Sequence, residues 1–432
     1  MTRIAHLHAR EVLDSRGLPT VEVEIRCSDG AMGSAIVPSG ASTGRFEAHE
    51  LRDGDPSRYD GRGVQRAVSN IRDQITPRLL GRDPADQANI DAELLQLDPS
   101  PQKSQLGGNA LLAVSLAAAH AAAASQGVEL YEHLAEAWRA SHPAGERALA
   151  QPAIPLPMTN MISGGLHAGG NLDFQDVLIQ PIGAPDYPTA LEWIVRVYRR
   201  LGELLNAAGF EGRLVGDEGG FGPRLSSNRQ AIEFVVRAIE HAGLRPARDV
   251  TIALDVAATH FYHDGNYRLS STGNAVLSAN QMIDQIEELL DAYPIASVED
   301  PLAEDDWEGW QQITERLGSR VKLVGDDLFT TNCARLARGI ELGAANAVLI
   351  KVNQIGTLSE TFATMRLAAN AGYQCVVSAR SGETEDSTIA DLAVATAAAR
   401  IKIGSIVRSE RLAKYNRLLR IAERLPASPW LA

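Results

Sequence analysis

Six short apolar runs in the later part of the chain end in, or enclose, a charged side chain. They are VTIALD (Val250 to Asp255), IASVED (Ile295 to Asp300), VKLVGDD (Val321 to Asp327), AVLIKVN (Ala347 to Asn353), YQCVVSARS (Tyr373 to Ser381) and IKIGS (Ile401 to Ser405). Asp255, Glu299 with Asp300, Asp326 with Asp327, Lys351 and Arg380 stand near the C-terminal ends of five of them, and Lys402 sits inside the sixth. The successive steps from Asp255 to Glu299, Asp326 and Lys351 are 44, 27 and 25 residues. Each is near one strand-helix period, so the spacing brings three carboxylates and a lysine to neighbouring strand tips. Three acids cannot share a buried site without a cation, because repulsion and desolvation would protonate them or expel them. All-oxygen ligation suits Mg²⁺. A lysine beside such a site, pushed toward neutrality, is a base. The chemistry implied is removal of a carbon-bound proton next to a metal-held carboxylate. One acid after a strand is more often a helix cap. Three acids and a lysine in consecutive units reverse that weight.

The elements that must position these groups alternate. Helix-like segments such as NQMIDQIEELLDAY (Asn280 to Tyr293) and LSETFATMRLAANAG (Leu358 to Gly372) lie between the apolar runs. Strand, helix, strand predicts parallel pairing with crossovers, and strands apolar on both sides fit a sheet covered on both faces. At least six units in about 280 residues suit a (β/α)8 barrel. A doubly wound open sheet is the alternative, weakened by the absence of a GxGxxG after an early strand.

Residues 1–140 form a different unit, an α+β capping domain. VEVEIRC (Val21 to Cys27) alternates like a half-buried strand, and ALLAVSLAAAHAAAAS (Ala110 to Ser125) is apolar nearly all round, predicting a buried helix. The Pro-rich, aperiodic stretch from Ser141 to Pro157 separates it from a catalytic domain over residues 150–432.

Composition narrows the partners. A net charge of -13 argues against nucleic acid. No apolar run approaches the roughly 20 residues that cross a bilayer, and the first residues lack a signal-peptide core, so no membrane partner and a cytoplasmic location are expected. Cys27, Cys333 and Cys375 form no CxxC pair and are expected as buried free thiols.

The motifs LDSRGLPTVEVE, VPSGASTGRFEAHELRDGD, GGLHAGG, VGDEGGFGP, LDVAATHFY, VEDPLAEDDWEGW, VGDDLFTTN, LIKVNQIGTLSET, RSGETED and RSERLAKYN follow one another nearly end to end. In these the chain resembles the enolase (phosphopyruvate hydratase) family. The resemblance implies an enolase-type (β/α)8 barrel with an N-terminal α+β domain. It implies two Mg²⁺ per active site, the tighter held by Asp255, Glu299 and Asp326, and the second aided by Ser42 of the SGASTG loop. It implies that Lys351 abstracts the C2 proton of a 2-phosphoglycerate-type acid, that Lys402 stabilises the resulting dianion, and that Glu218 helps the C3 hydroxide leave as a general acid. Arg380 and Ser381 would hold the phosphate, with His167, Gln175 and Asp176 completing the substrate pocket. A homodimer, or an octamer built from it, is also implied.

The chain departs from the family in this pocket. The usual SHRSGETED is SARSGETED here, with Ala379 for histidine, and the acid after Gln175 is Asp176, one methylene short. Ser163, Ile403 and the pair Thr259-His260 replace the usual Asn, Thr and Ser-Glu. Drift would leave an ordinary glycolytic enolase with weaker dehydration. Enlargement would admit a bulkier phosphorus group. The second reading is favoured, because every metal ligand and the base are kept while two neighbours shrink. It points to an enolase relative of phosphinate and phosphonate antibiotic pathways, one that makes carboxyphosphonoenolpyruvate. A non-catalytic binding or scaffold role is disfavoured by the intact ligands.

Overall fold

The computed structural model describes residues 2–40, 44–142, 150–271 and 273–426. The N-terminal part is a three-stranded antiparallel sheet, Ile4–Leu13, Pro19–Cys27 and Met32–Ile36, ordered as in the chain. Val21, Val23 and Ile25 alternate inward and are fully buried. They rest on the helix Gly108–Gln126, whose alanines let the sheet come very close. A Cβ added at Gly33 would lie 2.1 Å from the Ala121 backbone nitrogen. Gly127 closes the helix in the left-handed conformation at φ 67°. At 19 residues this helix is long and apolar enough to span a bilayer, which corrects the expectation that no run comes near that length. Its burial under the sheet makes it a core helix.

The C-terminal part is a closed eight-stranded barrel with helices outside it. In chain order the strands are Leu156–Ser163, Asp176–Gln180, Thr251–Asp255, Ile295–Glu299, Lys322–Gly325, Ala347–Ile350, Gln374–Ser378 and Arg400–Gly404. All six apolar runs are barrel strands. The first two strands carried no comparable signal, and the second breaks the all-parallel expectation. Asp176–Gln180 runs antiparallel to both neighbours. The glycine-rich connection after Ser163 forms one short turn, Gly165–Ala168, and no crossover helix, so the chain returns beside the strand it left. The reversal brings the start of this strand, Asp176, to the mouth where the other strands end. Ser163 pairs with Asp176, Asp176 with Asp255, and Asp255 with Glu299. Inside the barrel Met158, Leu178, Ala253, Val324, Ala347, Leu349 and Val376 form a packed apolar layer beneath the mouth. Cys27 and Cys375 are buried as expected, but Cys333 is only partly covered because it starts the helix Cys333–Leu342.

The two parts meet over the mouth. Ser39 bridges to Gly382 through the backbone, and the Ala48 N–H donates to the Gln354 carbonyl at 2.7 Å.

Candidate active site

The barrel mouth is a tight cleft lined by His167, Gln175, Glu218, Asp255, Ala257, His260, Asp300, Asp326, Asp327, Lys351, Ser378, Ala379, Arg380, Ser381 and Lys402. It is polar and suits a small charged ligand.

Asp255 and Glu299 end adjacent parallel strands, and each is 1% exposed. Lys402 reaches them from within the last strand, donating from Nζ to Asp255 Oδ2 at 2.7 Å and to Glu299 Oε1 and Oε2 at 2.8 and 2.7 Å. Gln175 Nε2 donates to the same Asp255 oxygen at 2.9 Å. Burial and Asp255 push the Glu299 carboxyl well above its ordinary range. One lysine therefore does not balance these two acids.

Asp326 follows the next strand. Its Oδ2 accepts from Lys351 Nζ at 2.5 Å and its Oδ1 from Gln354 Nε2 at 3.0 Å. Burial alone would depress the Lys351 ammonium, but Asp326 outweighs it, and the lysine stays above its ordinary value. With Asp326 as its partner the lysine is drawn toward its charged form, opposite in direction to the expectation for a lysine beside a metal. Asp300 sits at φ 39°, a left-handed value that an Asp tolerates. Its carboxylate accepts the backbone N–H groups of Asp326 and Asp327 at 3.0 and 2.7 Å, fixing that strand tip. Burial and Asp326 raise Asp327 to about 7.

The donors fit a divalent cation in kind: buried carboxylates with a deficit of positive charge. Among the described residues, the two trios whose ligand atoms lie within 4.8 Å of one another are Asp300–Asp326–Asp327 and His167–Asp176–Glu218. The expected trio Asp255–Glu299–Asp326 is spread wider, with Lys402 drawn against two of its members.

Across the cleft, Glu218 lies in the loop after Val215. Its Oε2 accepts from Asn160 Nδ2 at 3.0 Å, and its Oε1 is 3.9 Å from His167 Nε2. Burial would lower His167, but Glu218 and Asp176 hold it up at about 9. Burial would raise Glu218, but His167 and then Arg411 pull it down to about 2. His167 is the proton carrier of this pair at neutral pH. Asp176 was expected to line the substrate pocket. It stands behind His167 instead, with Oδ2 3.0 Å from Nδ1, outside the cleft lining.

Arg380 follows the seventh strand. Its Nη1 donates to Glu47 Oε2 at 3.0 Å and to Asn353 Oδ1 at 2.9 Å. Ser381 beside it gives its carbonyl to Arg411 Nη2 at 2.8 Å. Ala379 lies between Ser378 and Arg380 on the cleft wall. Ser42 falls outside the described residues. Just after it, the Gly44 N–H donates to Glu47 Oε1 at 3.0 Å.

Sequence reasoning missed Glu47, Gln354, Asn353 and Asn160, which are uncharged or far from any strand end. Glu47 lies two residues past Arg45 in the quoted GRFEAHE motif, so its acid was visible but its partner was not. His260 was noted only as a substitution. It lines the cleft, where burial lowers its imidazole.

The model of the enolase N-terminal domain matches residues 4–134, and that of the enolase C-terminal TIM barrel domain matches residues 151–430.

Proposed function

The chain belongs to the enolase family, and on that premise we propose that it removes the C2 proton of a 2-phosphoglycerate-type acid to give an enolpyruvate product. The observation that carries this reading is Lys351, paired with Asp326 at 2.5 Å beside the buried Asp255 and Glu299. Asp255, Glu299 and Asp326 would hold Mg²⁺, with a second ion aided by Ser42. Bound there, the ions supply positive charge to the substrate carboxylate. Lys351 takes the proton once the charge of Asp326 is committed elsewhere. Lys402, fixed by two carboxylates, places an ammonium where negative charge grows on the substrate carboxylate. Arg380 binds the phosphorus group, with Ser381 beside it. Gln175 orients Asp255. His167 and Glu218 face the end from which the leaving group departs.

The finer proposal is a specialised product, carboxyphosphonoenolpyruvate. Ala379 supports it, since the wall beside Arg380 carries a methyl group where the family carries an imidazole. Asp176, one methylene shorter than the family's acid and bonded to His167 at 3.0 Å, supports it as well. An ordinary glycolytic enolase is the other reading, supported by the intact Lys351, Lys402 and Glu218.

A steady-state assay separates them. Dehydration of 2-phosphoglycerate with Mg²⁺ at ordinary enolase rates, a kcat of about 10 s⁻¹ or more, sinks the specialised reading. No turnover together with no heat of Mg²⁺ binding sinks both, and leaves a scaffold.

A further inference from the structure

Two positions where this chain departs from the family pattern, Ser163 and Asp176, meet in one buried corner. Ser163 ends the first barrel strand and Asp176 begins the second, so the hairpin register sets them opposite each other. Ser163 is 0% exposed and Asp176 1%. Ser163 Oγ donates to Asp176 Oδ1 at 2.7 Å, and Asp176 Oδ2 faces His167 Nδ1 at 3.0 Å. Both oxygens of Asp176 are engaged on the side away from the cleft. Gly216 and Gly220 pack directly on Ser163: a Cβ at Gly220 would lie 2.5 Å from its hydroxyl. The far nitrogen of His167, Nε2, points the other way, 3.9 Å from Glu218 Oε1.

We propose that Ser163 and Asp176 are positioning residues that fix the His167 ring, with Nδ1–H turned inward and Nε2–H presented to Glu218 and to the anionic end of the substrate. This rests on the reading of the cleft as the catalytic site. A carboxylate that accepts a hydrogen bond from Nδ1–H sets both the tautomer and the orientation of an imidazole. The short acid suits the task. One methylene fewer keeps its carboxylate against its own strand, within reach of the Ser163 hydroxyl. The charged groups facing His167 are Asp176, Glu218 and Asp255, with the His260 imidazole nearby. The three acids outweigh burial and hold the ring protonated, as a donor requires.

The test is a nitrogen NMR titration of the histidine rings in chelator-treated enzyme, with the His167 signal assigned from its absence in His167→Gln. In Asp176→Asn the His167 titration should fall by about one pH unit or more. In Ser163→Ala, the milder change, it should fall in the same direction by less. In both variants the pH profile of kcat/KM for 2-phosphoglycerate should move with it. If His167 titrates as in the wild type in both variants, and only the melting temperature drops, the proposal is overturned. NMR shifts in an enzyme that neither binds nor turns over 2-phosphoglycerate support the positioning and overturn the catalytic reading instead.

Discussion

Lys402 holds its ammonium against both oxygens of Glu299, at 2.8 and 2.7 Å, from within the last strand of the same barrel. The same nitrogen also serves Asp255 at 2.7 Å. A single cation shared by two buried acids leaves charge over, and that remainder is what a divalent ion would offset. Glu299→Gln should therefore weaken Mg²⁺ binding by about 100-fold or more, since changes even one shell further out cost about 10–100-fold. Isothermal titration of the chelator-treated variant with MgCl₂ measures it. An unchanged affinity places the ion elsewhere, with Asp300–Asp326–Asp327 the next set to substitute.

Lys351 is the only lysine in contact with Asp326 among the described residues. Lys351→Ala should abolish exchange of the substrate C2 hydrogen with deuterated solvent, a fall of about 10²–10⁴-fold. Exchange followed by proton NMR isolates this step from leaving-group departure. Exchange at the wild-type rate would remove Lys351 from the base role.

How far the sequence foretold this cleft depends on how each residue reaches it. Asp255, Glu299, Asp326, Lys351 and Arg380 follow apolar runs, and a barrel sends strand ends to one mouth, so periodicity alone gathered them. Lys402 was legible only as a charge inside an apolar run. His167 and Glu218 come from glycine-rich loops without periodicity, so the family resemblance had to carry them. Asp176 shows the limit. Its identity was plain, but the antiparallel turn of its strand and the hydrogen bond from Ser163 decide that it backs His167. Neither follows from spacing. Glu47 reaches Arg380 across 333 residues, a pairing no local pattern encodes.

Restoring the family histidine tests the enlarged pocket. Ala379 is 5% exposed and lines the cleft beside Arg380. Ala379→His should raise 2-phosphoglycerate turnover, by about tenfold for a single added hydrogen bond to the phosphate or leaving group. It should also impair a substrate with a bulkier phosphorus group. A fall in both activities would make Ala379 a packing residue.

The His167–Glu218 pair should mark the pH dependence of stability in chelator-treated enzyme. His167 is raised from 6.5 to about 9, so its contribution is complete below 6.5 and lost as pH rises through 9. Glu218 is lowered from 4.5 to about 2, so its contribution is present above 4.5 and lost as pH falls through 2. The melting temperature should decline between pH 6.5 and 9, and that decline should flatten in His167→Gln. An equal slope in both proteins would mean that His167 does not carry the proton.

Glu47 and Arg380 join the N-terminal domain to the barrel, and both side chains are almost wholly covered, at 6% and 5% exposure. Glu47→Ala removes the balancing carboxylate while Asn353 still accepts from the guanidinium. Breaking a buried pair from one side costs about 3–5 kcal/mol, whereas replacing both partners with apolar groups is often neutral. Denaturant unfolding should show Glu47→Ala strongly destabilised and Glu47→Leu/Arg380→Met recovered by about half of that loss or more. The double variant should still lose activity, because Arg380 is also the group offered to the phosphorus end of the substrate. Simple additivity of the two single losses would show that Glu47 and Arg380 do not act on each other, and that other contacts between the domains, such as Lys103–Glu360 and Asp91–Ser359, hold them together.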